Sequence, residues 1–189
     1  CDRLAPVDGD PQSIQSAVLS GIESANQRLL QRGDGAATTI LAVVLDRDRL
    51  RSYHAGDSEL LVVGQRGKVK RQTISHSPVG YAVEAGVLEA REGFAHADRH
   101  LVSNFVGMEG MHVQVGSAVR LAARDTLVMA SDGLWDNLHL EEVAEVVRKG
   151  PLARAAEQLV RDSTRRMRGE DREVAGKPDD LTVVLWRRR

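Results

Sequence analysis

Apolar positions recur at helical spacing near the start of the chain. Ile14, Val18, Ile22, Ala25 and Leu29 fall on one face. Asp10 and Pro11 precede them as N-cap and first helical residue, and Gly33 stands where the helix should stop. The period then changes. Residues 38–45, TTILAVVL, form a short apolar run bounded by the turn-like Asp46-Arg47-Asp48-Arg49. The run is apolar on both faces, which predicts a central strand covered from both sides. Strands at 50–55, 59–63 and 68–73 follow across turns too short for helical crossovers, so the four predict a meander of antiparallel hairpins.

Helical spacing returns at 79–90, through Val79, Val83, Val87 and Leu88, and 93–110 is irregular. Segments 111–115 and 118–122 predict a hairpin across Gly116-Ser117. An apolar strand at 126–130 runs into Ser131-Asp132-Gly133. Helices at 140–149, stopped by Gly150, and at 151–167, opened by Pro151, precede a polar loop at 168–178 and a last strand at 181–186. This order predicts one antiparallel α+β domain over residues 1–189, with helices covering a sheet or a pair of sheets.

Composition narrows what such a domain does. Only 3% of the residues are aromatic, so the core must be built from Val, Leu, Ile and Ala. The net charge of −1 argues against a nucleic-acid partner, which calls for a basic excess. The terminal run Arg187-Arg188-Arg189 reads as a solvated tail. One cysteine, Cys1, excludes an internal disulfide framework. No apolar run approaches the ~20 residues that span a bilayer, and no signal-peptide pattern precedes the first helix; no membrane partner and a cytoplasmic location are expected.

Acidic residues gather at predicted strand ends: Asp57 in Gly56-Asp57-Ser58, Asp132 and Asp136 in Ser131-Asp132-Gly133-Leu134-Trp135-Asp136, and Asp179 in Asp179-Asp180-Leu181-Thr182. Each alone is ordinary turn chemistry. Carboxylates at the ends of neighbouring strands, however, can converge on one edge, where they raise each other's pKa unless a cation lies between them. Oxygen-only ligation selects Mg²⁺ or Mn²⁺ over zinc. Such ions promote phosphate ester hydrolysis. His96 and His100 stand four apart, but HADRH lacks the glutamate of the zinc-protease pattern, and they read as surface or loop residues. His54, in a strand beside Gly56, reads equally as structural or functional.

In chain order, Gly35-Ala36-Ala37-Thr38-Thr39, His54-Ala55-Gly56-Asp57-Ser58, Ser75-His76-Ser77, Ser131-Asp132-Gly133-Leu134-Trp135-Asp136 and Asp179-Asp180-Leu181-Thr182-Val183-Val184 resemble successive blocks of the type 2C metal-dependent serine/threonine protein phosphatases. The resemblance covers roughly residues 11–186. It implies a four-layer α-β-β-α sandwich of antiparallel sheets, and hydrolysis of phosphoserine and phosphothreonine in phosphoprotein substrates by metal-activated water. It implies two or more Mg²⁺ or Mn²⁺ ions, with Asp132 and Asp179 (rather than Asp180) as ligands of the catalytic pair. Asp57 and Asp136, with Asp132, resemble ligands of an additional metal site. Residues 73–107 resemble the flap bordering the family's cleft, with Gly86 and Gly107 at positions where members commonly carry glycine.

The family's Asp-Gly-x-Gly-Gly motif, which bridges the metals, and its phosphate-receiving arginine precede the first helix. The expectation is therefore a single domain whose amino-terminal part is absent from this chain. Asp2, followed by Arg3, is not assigned the bridging role. Glu59 stands where the pattern has arginine and Ser75 where it often has aspartate.

Two other readings compete. ILAVVL followed by Asp46-x-Asp48 imitates the nucleophile motif of haloacid-dehalogenase-type phosphatases, with Asp46 as nucleophile, but that fold needs a helical crossover where a hairpin-length turn stands. The other is a pseudophosphatase, a catalytically incomplete scaffold kept as a protein-binding module.

Overall fold

A computed structural model describes residues 10–171, 174 and 176–188. Cys1, Asp2 and Arg3 lie outside the described residues.

The first helix, α1, spans Pro11–Arg32; Asp10 accepts the Ser13 amide at its start, and Gly33 closes it in the left-handed conformation at φ 65°. The antiparallel hairpin β1 (Ile40–Asp46) and β2 (Arg49–Ala55) follows. Next come β3 (Glu59–Val63) and β4 (Val69–Gln72), also antiparallel. Two short helices, α2 (Pro78–Glu84) and α3 (Ala90–Ala95), lead to β5 (Gln114–Val115), β6 (Val119–Arg120) and β7 (Thr126–Ala130). The chain then forms α4 (Asp132–Trp135), α5 (Leu140–Val147), α6 (Leu152–Met167) and β8 (Val183–Arg187).

The strands form two sheets. One has the order β1-β2-β5, with β6 also on β2; the other runs β4-β3-β7-β8. Strand periodicity builds three apolar layers from them. Ile40, Ala42 and Val44 of β1 and Tyr53 and Ala55 of β2 pack against Val18, Ile22 and Ala25 of α1. The opposite faces, with Leu41, Val43, Leu50, Leu60, Val62 and Leu127, meet between the sheets. Leu61, Val63, Val128 and Ala130 then cover Leu134, Val143, Val147 and Leu159 of the helices beyond. The layers are α-β-β-α, as expected. All five residues of β3 are buried because it lies inside its sheet with a layer on each face.

Four expectations need correction. The four early strands are not one meander. The chain leaves the first sheet after β2 and enters the second at β3, turning at Gly56 with φ 124°, where an added Cβ would overlap the Thr39 side chain. β1 is covered on both faces, but among the described residues it pairs with β2 alone and is not central. The helix expected at 79–90 breaks at Ala85 and Gly86, the latter at φ 71°. Segments 111–115 and 118–122 do not pair with each other; β5 and β6 both pair with β2, with Gly116 donating its amide to Ser52.

Arg187 and Arg188 are also structural, while Arg189 lies outside the described residues. Arg187 donates to Thr126 Oγ1 at 2.8 Å and to the Val147 carbonyl at 2.6 Å, joining β7 and the end of α5. Arg188 donates to the Leu121 carbonyl. The Val147 carbonyl lies at the end of α5, where helix carbonyls lack partners within the helix. Asp46 and Asp48 flank the tight β1–β2 turn, with Arg47 in the left-handed region, and Asp48 pairs with Arg120 at 2.7 Å. Among the described residues no strand pairs parallel to β1, which removes the topology that the aspartyl-nucleophile reading requires.

Candidate metal and phosphate site

The acidic motifs meet at one end of the second sheet. Asp57 and Ser58 precede β3, Asp132 and Asp136 follow β7, and Asp179 precedes β8. Because β3, β7 and β8 are consecutive antiparallel neighbours, these three chain ends lie side by side.

Close packing tightens this convergence. β7 leads directly into α4, whose first residue is Asp132. A Cβ on Gly133 would overlap the Asp180 carbonyl, so glycine lets α4 press against the segment carrying Asp179. Ser131 secures the same approach: its amide donates to Thr182 O at 3.1 Å, and its Oγ accepts the Thr182 amide at 3.0 Å. The Trp135 indole donates to Ala130 O at 3.0 Å and fixes α4 against β7. Asp136 follows as the helix cap.

Lys177 stands at the centre of the cluster. Its Nζ lies 2.6 Å from Asp136 Oδ2, 3.3 Å from Asp132 Oδ2 and 3.4 Å from Asp179 Oδ2. Sequence reasoning did not identify this residue. A lysine in a polar loop carries no spacing signal, and only the folded chain end brings it among the aspartates.

The electrostatics follow from crowding. Burial, together with Asp132 and Asp136, pushes Asp57 up to about 6 despite Lys177. Burial and the neighbouring Asp179 raise Asp132 as well. Burial opposes ionisation of Asp179, but the Asp180 amide, donating at 2.8 Å, and Lys177 bring it below the usual range. Burial likewise opposes the charge on Lys177, and Asp136 and Asp132 outweigh it, raising its pKa. Glu59, beside the cluster, is buried and pushed up to about 7, with Gln72 donating to it at 2.9 Å.

All four sequence-predicted residues, Asp57, Asp132, Asp136 and Asp179, thus share one electrostatic neighbourhood. Their all-oxygen donor set and mutual repulsion suit a hard divalent cation in charge and chemistry. Among the described residues, no group of three or more acidic, histidine or cysteine side chains is already arranged to hold a metal ion. The cation that Asp132, Asp136 and Asp179 now share is the Lys177 ammonium.

A cleft of about 270 Å³ opens beside the cluster, between Ser75, Val83 and Phe94 on the flap side and Asp136, Leu138 and His139 on the other. The flap is rooted by histidines. His54 bonds through Nε2 to Ile74 O at 3.0 Å, and His76 Nδ1 accepts the Gly56 amide at 3.2 Å. His54 is therefore structural. His96 and His100 belong to one short turn, with His96 Nδ1 accepting the Asp98 amide.

Comparison with known proteins agrees with this geometry. Residues 114–171 match the family model of Protein phosphatase 2C. Protein phosphatase PhpP of Streptococcus pneumoniae is 29% identical over 171 residues, covering 87% of this chain and 65% of that protein. The chain thus spans just under two thirds of that relative's length. The solved serine/threonine phosphatase of S. agalactiae superposes with a TM-score of 0.79 at 25% identity, covering 95% of this chain and 73% of that one. The catalytic domain of serine/threonine protein phosphatase PstP, in complex with 2 manganese ions, superposes with a TM-score of 0.72 at 24% identity, covering 94% of this chain and 71% of that one.

An α-β-β-α sandwich with carboxylates gathered at one end of a sheet defines the class. In sequence and fold the chain is similar to the type 2C protein phosphatases.

Proposed function

We propose that the protein hydrolyses phosphoserine and phosphothreonine in phosphoprotein substrates and depends on Mg²⁺ or Mn²⁺. The observation that carries this reading is the convergence of Asp57, Asp132, Asp136 and Asp179 from three separate motifs beside an open cleft. The relatives' descriptions as protein phosphatases, and the manganese ions of the PstP domain, support it.

In this reading Asp132 and Asp179 hold the catalytic metal pair in part, and Asp57 and Asp136, with Asp132, hold a further ion. Bound divalent ions supply Lewis acidity that acidifies water and draws charge from phosphate oxygens. The chain's own residues set the geometry. Gly133 and Ser131 hold Asp132 beside Asp179, Trp135 holds the short helix that ends at Asp136, and the flap borders the cleft a phosphorylated side chain would enter.

The test is phosphate release from a phosphoserine peptide by the full-length protein in Mn²⁺. Activity should vanish in excess chelator and fall by about a thousandfold or more in Asp132→Ala. Activity that survives either treatment overturns the proposal.

One observation favours the second reading, a non-catalytic binding module: the Lys177 ammonium already pairs with three of the carboxylates. Full-length protein that binds no divalent ion and releases no phosphate, yet captures a phosphoprotein, would establish it. Action in the cytoplasm belongs to the same proposal and is tested by cell fractionation. Among the described residues, no helix is long and apolar enough to cross a membrane.

A further inference from the structure

Lys177 is held in the carboxylate cluster from two directions. Its side chain contacts Asp136, Asp132 and Asp179 at 2.6, 3.3 and 3.4 Å. Its backbone is gripped by Asn137, which is fully buried: the Asn137 amide donates to Lys177 O at 2.9 Å, and Asn137 Oδ1 accepts the Lys177 amide at 2.9 Å. Asn137 is itself fixed, donating to Gly133 O at 3.0 Å and receiving Arg166 on its carbonyl at 2.7 Å. Lys177 is thus anchored at its backbone, with only its side chain free to move.

That side chain has somewhere to go. Lys177 lies in the wall of a second cavity, about 630 Å³, shared with Phe94, Arg99, His139 and Pro178. An ammonium and a divalent ion cannot both lie at hydrogen-bonding distance from the same three carboxylates without strong like-charge repulsion. Binding of the ion must therefore expel the ammonium.

We propose that Lys177 is a built-in competitor for the metal. It holds the carboxylates together before the ion arrives, and it swings into the adjoining cavity when the ion binds. This rests on the metal-binding reading above. It accounts for two facts at once: the aspartates lack a ready-made metal-holding arrangement, and a lysine is anchored by a buried asparagine in their midst. The consequence is an affinity for divalent ions set by one lysine. The competitor is covalently attached, so added monovalent salt does not remove it.

The experiment is calorimetric titration of Mn²⁺ into the full-length protein, with Lys177→Met and Lys177→Arg beside it. Lys177→Met should bind Mn²⁺ about tenfold more tightly or better, since a unit charge no longer has to be displaced. Lys177→Arg should stay within a few-fold of the parent. Melting in chelator supplies a second reading of opposite sign. Without metal, Lys177→Met should melt below the parent, because three carboxylates have lost their counter-ion, and Mn²⁺ should raise its Tm more than it raises the parent's. Equal or weaker Mn²⁺ binding by Lys177→Met, with the parent binding measurably, overturns the competition while leaving metal binding intact. An absence of Mn²⁺ binding in all three proteins overturns the metal reading as well.

Discussion

Asn137 and Lys177 are joined by a reciprocal pair of hydrogen bonds, amide to carbonyl and carbonyl to amide, both at 2.9 Å across 40 residues of chain. The pair fastens the loop entering β8 to the residue after Asp136, and so sets how far Asp179 stands from Asp132. Replacing Asn137 by Ala leaves the Lys177 amide and carbonyl without these partners. The expected loss of stability is about 2–3 kcal/mol by urea unfolding. Mn²⁺ affinity should fall too, because Asp179 is no longer held in register.

Gly133 carries the other half of that registration. In Gly133→Ala the new methyl meets the Asp180 carbonyl and backbone at Leu181, and one of the two segments must give. The expected outcome is a folded protein whose phosphatase activity falls about a hundredfold, because small misplacements at a reacting centre are costly. Gly21→Ala is the control. Gly21 lies inside α1 with open space around it, so alanine there should stabilise by about 0.5–1 kcal/mol and leave activity unchanged.

The His54 and His76 rings stack with centroids 4.4 Å apart, and His112 lies 5.2 Å beyond His76. Burial holds His54 down at about 4, with His76 and His112 adding repulsion, while the Ile74 carbonyl pulls the other way. The unfolded chain therefore binds the proton first. Stability contributed by neutral His54 is complete above about 6.5, the ordinary histidine value, and is lost as pH falls through 4. Asp57 and Glu59, pushed up by burial, act in the opposite sense over this range, so the contribution is read as a difference: from pH 7 to 4 the parent should lose melting temperature relative to His54→Phe. A difference that does not change with pH would remove this role from His54.

Arg166 links α6 to the turn before α5. It is almost wholly buried and makes two bonds to Glu142 at 2.7 Å, one to Asn137 O at 2.7 Å and one to Asp171 at 3.1 Å. Removing one partner from such a network strands the others. Arg166→Met should therefore cost about 3 kcal/mol in chemical unfolding. Arg166→Lys should recover less than half of that loss, because an ammonium cannot reproduce the forked contact with Glu142.

Much of this molecule was legible in the chain itself. Helix 11–32 announced its ends through Asp10, Pro11 and Gly33, since caps are local chemistry. The strand segments showed their period, the order of elements gave antiparallel α+β, and the motifs around Asp57, Asp132, Asp136 and Asp179 pointed to a candidate site and to a family resemblance. Tertiary structure decided the rest. Local spacing says that a turn follows β2, but only packing on both faces decides that Gly56 sends the chain into a second sheet rather than on along the first. Segments 111–115 and 118–122 have a hairpin's spacing, yet β2 offers both an edge already covered by a core. Lys177 is the clearest case. Nothing in a polar loop distinguishes it from a solvated lysine, because its role depends on three carboxylates contributed by residues up to 45 positions away and on a buried asparagine that turns it toward them. Short-range preferences are written in the sequence, whereas the meeting of distant charges exists only once the sheets have packed.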